Sequence, residues 1–242
     1  MRENEINSLV NELNSFTPGK SLDYLQRLTL GVSKIINASS RFTKVQQTLV
    51  VFALTLAAEM HRGVYRKDKI TPYFIHPVEV ACIIIEYFGV IDFKIIIAAI
   101  LHDVIEDKEG WKNKQVLRKK IHSKFGYTIY SIINFVTKHE STERRIRYYE
   151  IMRGIRIISI KWRAILIKIA DRINNAETFK HVSEDERQRK IKETLVEFPL
   201  LETELEKILA RAYKTGKIKN KKLLTVPRKA MDRLFMAIDP YT

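Results

Sequence analysis

The residues able to do chemistry in this chain centre on Leu101-His102-Asp103-Val104-Ile105-Glu106-Asp107, one imidazole and three carboxylates behind the apolar run Ala98-Ala99-Ile100. An apolar lead-in of this kind reads as a buried helix, so its polar end must be paired or liganded. Two further groups share that setting: His76 upstream, and Asp171 within Ile167-Lys168-Ile169-Ala170-Asp171-Arg172. Two imidazoles and two carboxylates without a thiolate suit Mn²⁺, Fe²⁺ or Zn²⁺ rather than a soft-metal site. Neighbouring helical residues diverge by about 100°, so His102 and Asp103 share an ion only if it sits in the wedge between them, with ligands from other helices closing the shell. One buried histidine is usually a satisfied core residue; four such groups in apolar helical surroundings make a candidate metal site. His61, His122, His139 and His181 lack a comparable context and read as surface or structural.

The elements that must hold these groups read as helices. Residues 1–40 suit one or two helices broken near Pro18-Gly19, and Thr43 to Met60 forms a strong one. Pro77 suits the first turn of a helix running through Val78 to Phe88 and stopping at Gly89. Asp92 is an N-cap for a helix from Phe93 to about Asp107. Lys112 to Lys124 and Tyr127 to Lys138 form a pair separated by Phe125-Gly126, and the basic segment Ser141 to Ile160 reads as a solvated helix, with a mobile lid as the alternative. Trp162 to Phe179 is buried. Ser183 and Glu186 start a helix from Glu184 to Phe198. Another runs from about Leu200 to Tyr213, then a basic linker, and a short helix from Ala230 to Ile238 closes the chain. No strand is required, and the fold class is all-α.

Composition narrows the setting. At 242 residues with 45% apolar content, one sizeable core is expected, and only 8 Gly and 6 Pro interrupt it. The single Cys82 cannot form an internal disulfide, the N-terminus shows no signal core, and no apolar run is long enough to span a bilayer. A cytoplasmic protein is expected, with no membrane partner. The net charge of +15 suits nucleic acid, an anionic surface or a polyanionic small molecule. No DNA- or RNA-binding motif and no basic stripe interleaved with aromatics accompanies it, so a polyanionic substrate explains the charge without DNA or RNA.

The order His76, His102-Asp103, Asp171 resembles the signature of the HD-domain metal-dependent phosphohydrolases. More than that core matches. His61-Arg62-Gly63-x-x-Arg66-Lys67, Pro72-Tyr73-x-x-His76-Pro77, Ala98-Ala99-x-Leu101-His102-Asp103-Val104-x-Glu106-Asp107, Val136-Thr137-Lys138 and Ile167-Lys168-x-Ala170-Asp171-Arg172-x-x-Asn175 resemble the hydrolase domain of the RelA/SpoT homologues over roughly residues 43–200. The resemblance implies an HD-type helical bundle over 41–213 with a helical extension at 1–40 and a basic one at 214–242. It implies Mn²⁺-dependent removal of the 3′-pyrophosphate from ppGpp and pppGpp, giving GDP or GTP and pyrophosphate. It makes His76, His102, Asp103 and Asp171 the metal ligands and Glu106 and Asp107 the catalytic pair. It places Arg66 at the guanine base, Lys67 near the phosphates, and Asn175 and Thr178 along the nucleotide pocket. Lys168 is a candidate for substrate contact or for pairing with a carboxylate. Too little chain follows residue 213 for a synthetase domain, so a stand-alone alarmone hydrolase of the stringent response is implied.

The chain also departs from that pattern. The loop Lys67 to Pro72 is one residue longer, with Asp68-Lys69-Ile70-Thr71 in place of a Ser-Gly-Glu type, and so resembles stand-alone metazoan relatives linked to removal of the NADPH 2′-phosphate. Asn174 stands where histidine is common, and Ala176-Glu177 replaces a Met-Arg type pair. An NADPH 2′-phosphatase, or another nucleotide phosphohydrolase on the same scaffold, is therefore the alternative enzyme. A non-catalytic basic regulatory or nucleic-acid-binding protein is the alternative outside catalysis.

Overall fold

The protein is described by a computed structural model covering residues 1–19, 21–106, 111–137 and 154–241. Among the described residues there are nine α-helices: α1 (Glu3–Phe16), α2 (Leu22–Ser39), α3 (Lys44–Met60), α4 (Ile75–Glu86), α5 (Phe93–Ile100), α6 (Trp111–Val136), α7 (Ile158–Ala176), α8 (Glu184–Lys214) and α9 (Val226–Ile238). The described residues contain no strand beyond an isolated antiparallel bridge between Tyr65 and Pro72. No helix among them is long and apolar enough to cross a membrane.

Local signals account for most helix starts. Thr43 and Gln46 close a reciprocal capping box on α3, Ser21 caps α2, and the Ser183 hydroxyl accepts from the Glu186 N–H at the start of α8. Gly126 adopts φ +80°, a conformation that costs other residues, and it breaks α6 where Phe125-Gly126 predicts a separation.

Several boundaries differ from the sequence expectation: α7 starts at Ile158 rather than Trp162 and α9 at Val226 rather than Ala230, and three further differences have a physical reason. The helix capped by Asp92 stops at Ile100 rather than near Asp107, and Leu101 to Glu106 form turns held by Val104 N–H to Leu101 O and Glu106 N–H to Asp103 O. Continuing the helix would spread the polar groups around its circumference, some of them into apolar core without partners. The turn lets them face one side. Second, α8 runs unbroken through Pro199, whose ring removes one backbone donor. The carbonyl deprived of it belongs to Leu195, which is 49% exposed, so solvent can serve it. Third, α7 ends at Ala176, short of Phe179, and the chain continues through a 3₁₀ turn over Phe179–His181. Residues 138–153, most of the expected basic helix, lie outside the described residues.

The interior is a single apolar cluster to which all nine helices contribute. Helix α5 is its centre, because every side chain from Ile95 to Leu101 is fully buried. Helix α7 packs against α4, α5, α6, α8 and α9. Lys161 pairs with Glu204 and Arg172 with Glu193, which ties α7 to α8; Arg233 of α9 pairs with Glu177. At the other end α2 lies close on α4, where Gly31 leaves no room for a side chain; an added Cβ would stand 2.5 Å from Val78.

Asp92 joins two helices, capping α5 through the Lys94 and Ile95 amides and receiving the Arg163 guanidinium of α7 at 2.9 and 2.5 Å. Burial alone would raise its carboxyl, but the Arg163 contacts and the two amides outweigh burial and hold it below the ordinary value of 3.8. A carboxyl depressed in the folded state stabilises it above the unfolded pKa, and the effect is lost as pH falls through the folded value. We expect Asp92→Ala to cost about 1–3 kcal/mol in urea unfolding at neutral pH, and Asp92→Asn, which keeps a capping oxygen, to cost less. The gap between wild type and Asp92→Asn should narrow as pH is lowered from about 5 toward about 2. A gap independent of pH would contradict the ion-pair account.

Candidate metal centre and adjoining cleft

Three elements bring four acceptor atoms to one buried point. His76 enters from the first turn of α4, His102 and Asp103 from the turn after α5, and Asp171 from the last third of α7. His76 Nε2 lies 3.3 Å from Asp103 Oδ2 and 3.3 Å from Asp171 Oδ1. His102 Nε2 lies 3.1 and 3.8 Å from the same two oxygens. Both imidazoles are essentially inaccessible, and the carboxylates are mostly buried.

The other nitrogen of each ring is already committed. His102 Nδ1 donates to the Ala99 carbonyl at 2.8 Å, and His76 Nδ1 donates to Asn174 Oδ1 at 2.6 Å. The neutral rings therefore turn lone pairs, not protons, toward Asp103 and Asp171, and neither Nε2 has an aligned hydrogen-bond partner among the described residues. Four acceptors facing one another in an apolar interior repel unless a cation or added protons sit between them. Donors about 2.0–2.2 Å from one ion stand about 3 Å apart when adjacent in its shell, close to these imidazole–carboxylate separations. The ligand atoms of His76, His102 and Asp103 all lie within 4.8 Å of one another, and Asp171 joins that set through the two imidazoles. The residues present fit a divalent metal.

Without an ion, protons take the bridging role. Burial would drive both imidazoles toward neutrality, yet the facing Asp103 and Asp171 carboxylates override it. They raise His76 and push His102 up to about 10. Against the same burial, the His102 and His76 rings hold Asp103 well below the carboxylate range. Lys168, then the two imidazoles, do the same for Asp171.

A second set of side chains fixes the carboxylates. Tyr73 donates its hydroxyl to Asp103 Oδ2 at 2.7 Å. Asn175 Nδ2 and Lys168 Nζ donate to the two oxygens of Asp171 at 2.6 and 3.2 Å. Lys168 and Asn175 thus line the adjoining cleft and also orient a carboxylate, the arrangement that one reading of Lys168 anticipates.

Above this floor a cleft of about 230 Å³ opens to solvent. Its metal-side wall carries Asp103, Glu106, Asp171 and Lys168, and its outer wall Arg66, Lys67, Thr178 and Lys190. Asp107 lies outside the described residues. Because Asp103 and Glu106 sit on a turn, their approach to the cleft follows from the turn rather than from a shared helix face. Arg66 Nη2 donates to Thr178 Oγ1 at 3.1 Å. Lys67 and Lys190 converge on Glu186 at 2.8 and 2.9 Å. Burial and the Lys67 cation push Lys190 down to about 8 against the pull of Glu186. The loop that presents Arg66 and Lys67 folds on itself. Asp68 accepts from the Ile70 and Thr71 amides and the Thr71 hydroxyl, Arg66 N–H reaches Thr71 O at 2.7 Å, and Lys69 adopts φ +61°.

Sequence reasoning gave no site role to Tyr73, Lys190, Asn174 or Glu79. Tyr73 lies three residues before His76, a spacing that could have drawn notice. The other three are identifiable only once the helices are packed. His61, read as surface or structural, is 1% exposed with its ring 4.9 Å from that of Tyr73.

Comparison with known proteins places the architecture. A family model described as HD domain matches residues 53–200. Guanosine-3′,5′-bis(diphosphate) 3′-pyrophosphohydrolase of Haemophilus influenzae is 33% identical over 144 residues, which is 58% of this chain and 20% of that protein. The bifunctional (p)ppGpp synthase/hydrolase SpoT of Escherichia coli K12 is 32% identical over 147 residues, 59% of this chain and 20% of that one. The chain thus aligns with about a fifth of the length of these relatives. A solved structure described as "A metazoan ortholog of SpoT hydrolyzes ppGpp and plays a role in starvation responses" superposes with a TM-score of 0.51 at 22% identity. The superposition covers 78% of this chain and 94% of that one, a likeness of fold.

If the four acceptors hold an ion, elemental analysis of protein purified without chelator finds one divalent transition metal per chain, and His102→Ala and Asp171→Asn lose it while keeping their helical circular dichroism. Tyr73→Phe, which keeps the ring and removes the hydroxyl, should weaken metal binding by about tenfold. Full metal content in His102→Ala or Asp171→Asn would overturn the ligand set.

Proposed function

The chain belongs to the HD-domain family, and from that membership we propose that it is a metal-dependent nucleotide phosphohydrolase that removes the 3′-pyrophosphate of ppGpp and pppGpp. The observation that carries this reading is the metal-fitting acceptor cluster on the floor of a cleft whose outer wall holds Arg66, Lys67 and Lys190. Cations above a metal site suit a substrate that is a polyanion along its whole length. The relatives from Haemophilus influenzae and Escherichia coli are named for this substrate.

In this reading His76, His102, Asp103 and Asp171 hold the ion, and a donor set of nitrogen and oxygen without sulfur supports Mn²⁺, with Fe²⁺ or Zn²⁺ as substitutes. The ion supplies acidification of a water and polarisation of a phosphoryl oxygen. Glu106, on the cleft wall beside Asp103, orients the attacking water and accepts its proton, with Asp107 as its partner. Water oxygen bonds to the phosphorus attached to the ribose, the bond from that phosphorus to O3′ breaks, and a proton ends on O3′. GDP or GTP and pyrophosphate leave. Arg66, held by Thr178, offers a flat guanidinium to the base, while Lys67 and Lys190 face the phosphates. The buried Cys82 thiol, with no second cysteine in the chain, supports a reducing, cytoplasmic setting.

Incubation with ppGpp and Mn²⁺ should yield GDP and pyrophosphate in equal amounts, with orthophosphate absent. Arg66→Ala should raise KM about tenfold, a loss of about 1.4 kcal/mol of binding, with a smaller change in kcat. Orthophosphate released from NADPH, with ppGpp left intact, would transfer the same site to the 2′-phosphatase reading. No hydrolysis of either nucleotide by metal-loaded protein would overturn both readings and leave another nucleotide substrate or a non-catalytic role.

A further inference from the structure

The N-terminal helix α2 reaches the metal centre through a continuous chain of hydrogen bonds. Arg27 donates from Nε and Nη2 to Glu79 Oε1 at 2.9 and 2.6 Å. The other oxygen, Glu79 Oε2, accepts from Asn174 Nδ2 at 2.8 Å. Asn174 Oδ1 then accepts from His76 Nδ1 at 2.6 Å. The four residues come from α2, α4, α7 and α4 again, and Asn174 is 2% exposed.

The order of donors and acceptors along this chain leaves no freedom. An ionised carboxylate only accepts, so Glu79 compels the Asn174 amide to turn its NH₂ outward and its oxygen toward His76. An amide oxygen only accepts, so His76 must carry its proton on Nδ1 and present the lone pair of Nε2 to the ion. Were the amide turned round, its NH₂ would face His76 Nδ1. That nitrogen would have to accept, the proton would move to Nε2, and the ring would lose its ligand lone pair. Glu79 therefore selects the tautomer of a residue it does not touch, and Arg27 holds Glu79 in place from the surface. The close α2–α4 approach at Gly31, one turn beyond Arg27, sets the distance over which this works.

Resting on the metal-site reading above, we propose that Arg27, Glu79 and Asn174 are positioning residues for the metal, a relay by which the N-terminal helix fixes the coordinating tautomer of His76. None of the three lines the cleft above the metal centre. All three line an adjoining cavity of about 320 Å³ that shares Arg66, Lys67 and Thr178 with it, and the effect proposed for them is on ion affinity. Lys34 provides the internal comparison. It joins the same two helices through an ion pair with Glu86 at 2.8 Å, two turns from Arg27, and among the described residues no hydrogen bond links that pair to the site.

The test is Mn²⁺ binding to the full chain by isothermal titration calorimetry after metal removal, with thermal unfolding of the metal-free proteins measured alongside. Arg27→Ala and Lys34→Ala each delete one α2–α4 ion pair and should shift the metal-free melting temperature by similar small amounts. Only Arg27→Ala should weaken Mn²⁺ binding, by about tenfold, with Arg27→Lys restoring part of it. Asn174→Leu should weaken it by about a hundredfold. Where Asn174→Leu does not fold, the Arg27 and Lys34 comparison carries the test alone, since both are at the surface. Equal Mn²⁺ affinity for Arg27→Ala, Lys34→Ala and wild type would overturn the relay while leaving the metal site standing. Failure of the wild type to bind Mn²⁺ would instead remove the reading on which the relay rests.

Discussion

Two imidazole lone pairs and two carboxylate oxygens face one another in an apolar interior, and although Tyr73, Lys168 and Asn175 donate to the carboxylates from outside, the repulsion across the centre is relieved by positive charge placed among the four. Much of the surrounding structure serves that arrangement. The fully buried run Ile95 to Leu101 excludes water from behind the histidines, so the electrostatic interaction in front of them is strong. Each acceptor is aimed by a neighbour: Ala99 O for His102, Asn174 for His76, Tyr73 for Asp103, Lys168 and Asn175 for Asp171. A flexible site could relax the repulsion by rotating its side chains. These side chains are pinned, so relief has to come from an ion or from protons.

How readily each part could be read from the sequence followed the range of the interaction responsible. Helix starts set by a residue and its near neighbours, as at Asp92 and Ser183, were visible because the partners sit within one turn. The break at Gly126 was visible for the same reason. Helix ends fixed by the tertiary environment were not. Pro199 reads as a breaker, yet α8 continues because packing of Phe198, Leu201 and Leu205 against the core outweighs one lost hydrogen bond. The apolar run before His102 reads as helix through Asp107, yet the chain turns at Leu101 because the acidic residues that follow need the cleft.

The site shows the same division. His76, His102, Asp103 and Asp171 stand out because titratable groups are rare inside apolar helices, and that rarity shows in one dimension. Their supporting residues do not stand out. Asn174 and Glu79 are ordinary polar side chains at helical positions, 95 residues apart, and Arg27 lies 52 residues from Glu79. Only the packing of α2, α4 and α7 makes them neighbours. The N-terminal helices carry no chemistry of their own in the sequence, yet α2 ends up one side chain away from a group that holds a metal ligand.

The four acceptors and the outer-wall cations are built on different materials, and this bears on specificity. The acceptors rest on helices and on a turn locked into the core. Arg66 and Lys67 ride on a loop closed by its own Asp68, with Lys69 forced into a left-handed backbone that an unbranched chain tolerates at a cost of about 1 kcal/mol. Changing the loop length would move Arg66 and Lys67 relative to the acceptor cluster without disturbing the core, because the long-range hydrogen bonds of these two side chains among the described residues are to Thr178 and Glu186. Glu186 is shared by Lys67 and Lys190 and holds the two cations side by side at the mouth of the cleft. Under the proposed function, the metal chemistry would be set by the buried helices, while the choice of nucleotide would rest on a loop that can vary independently of them.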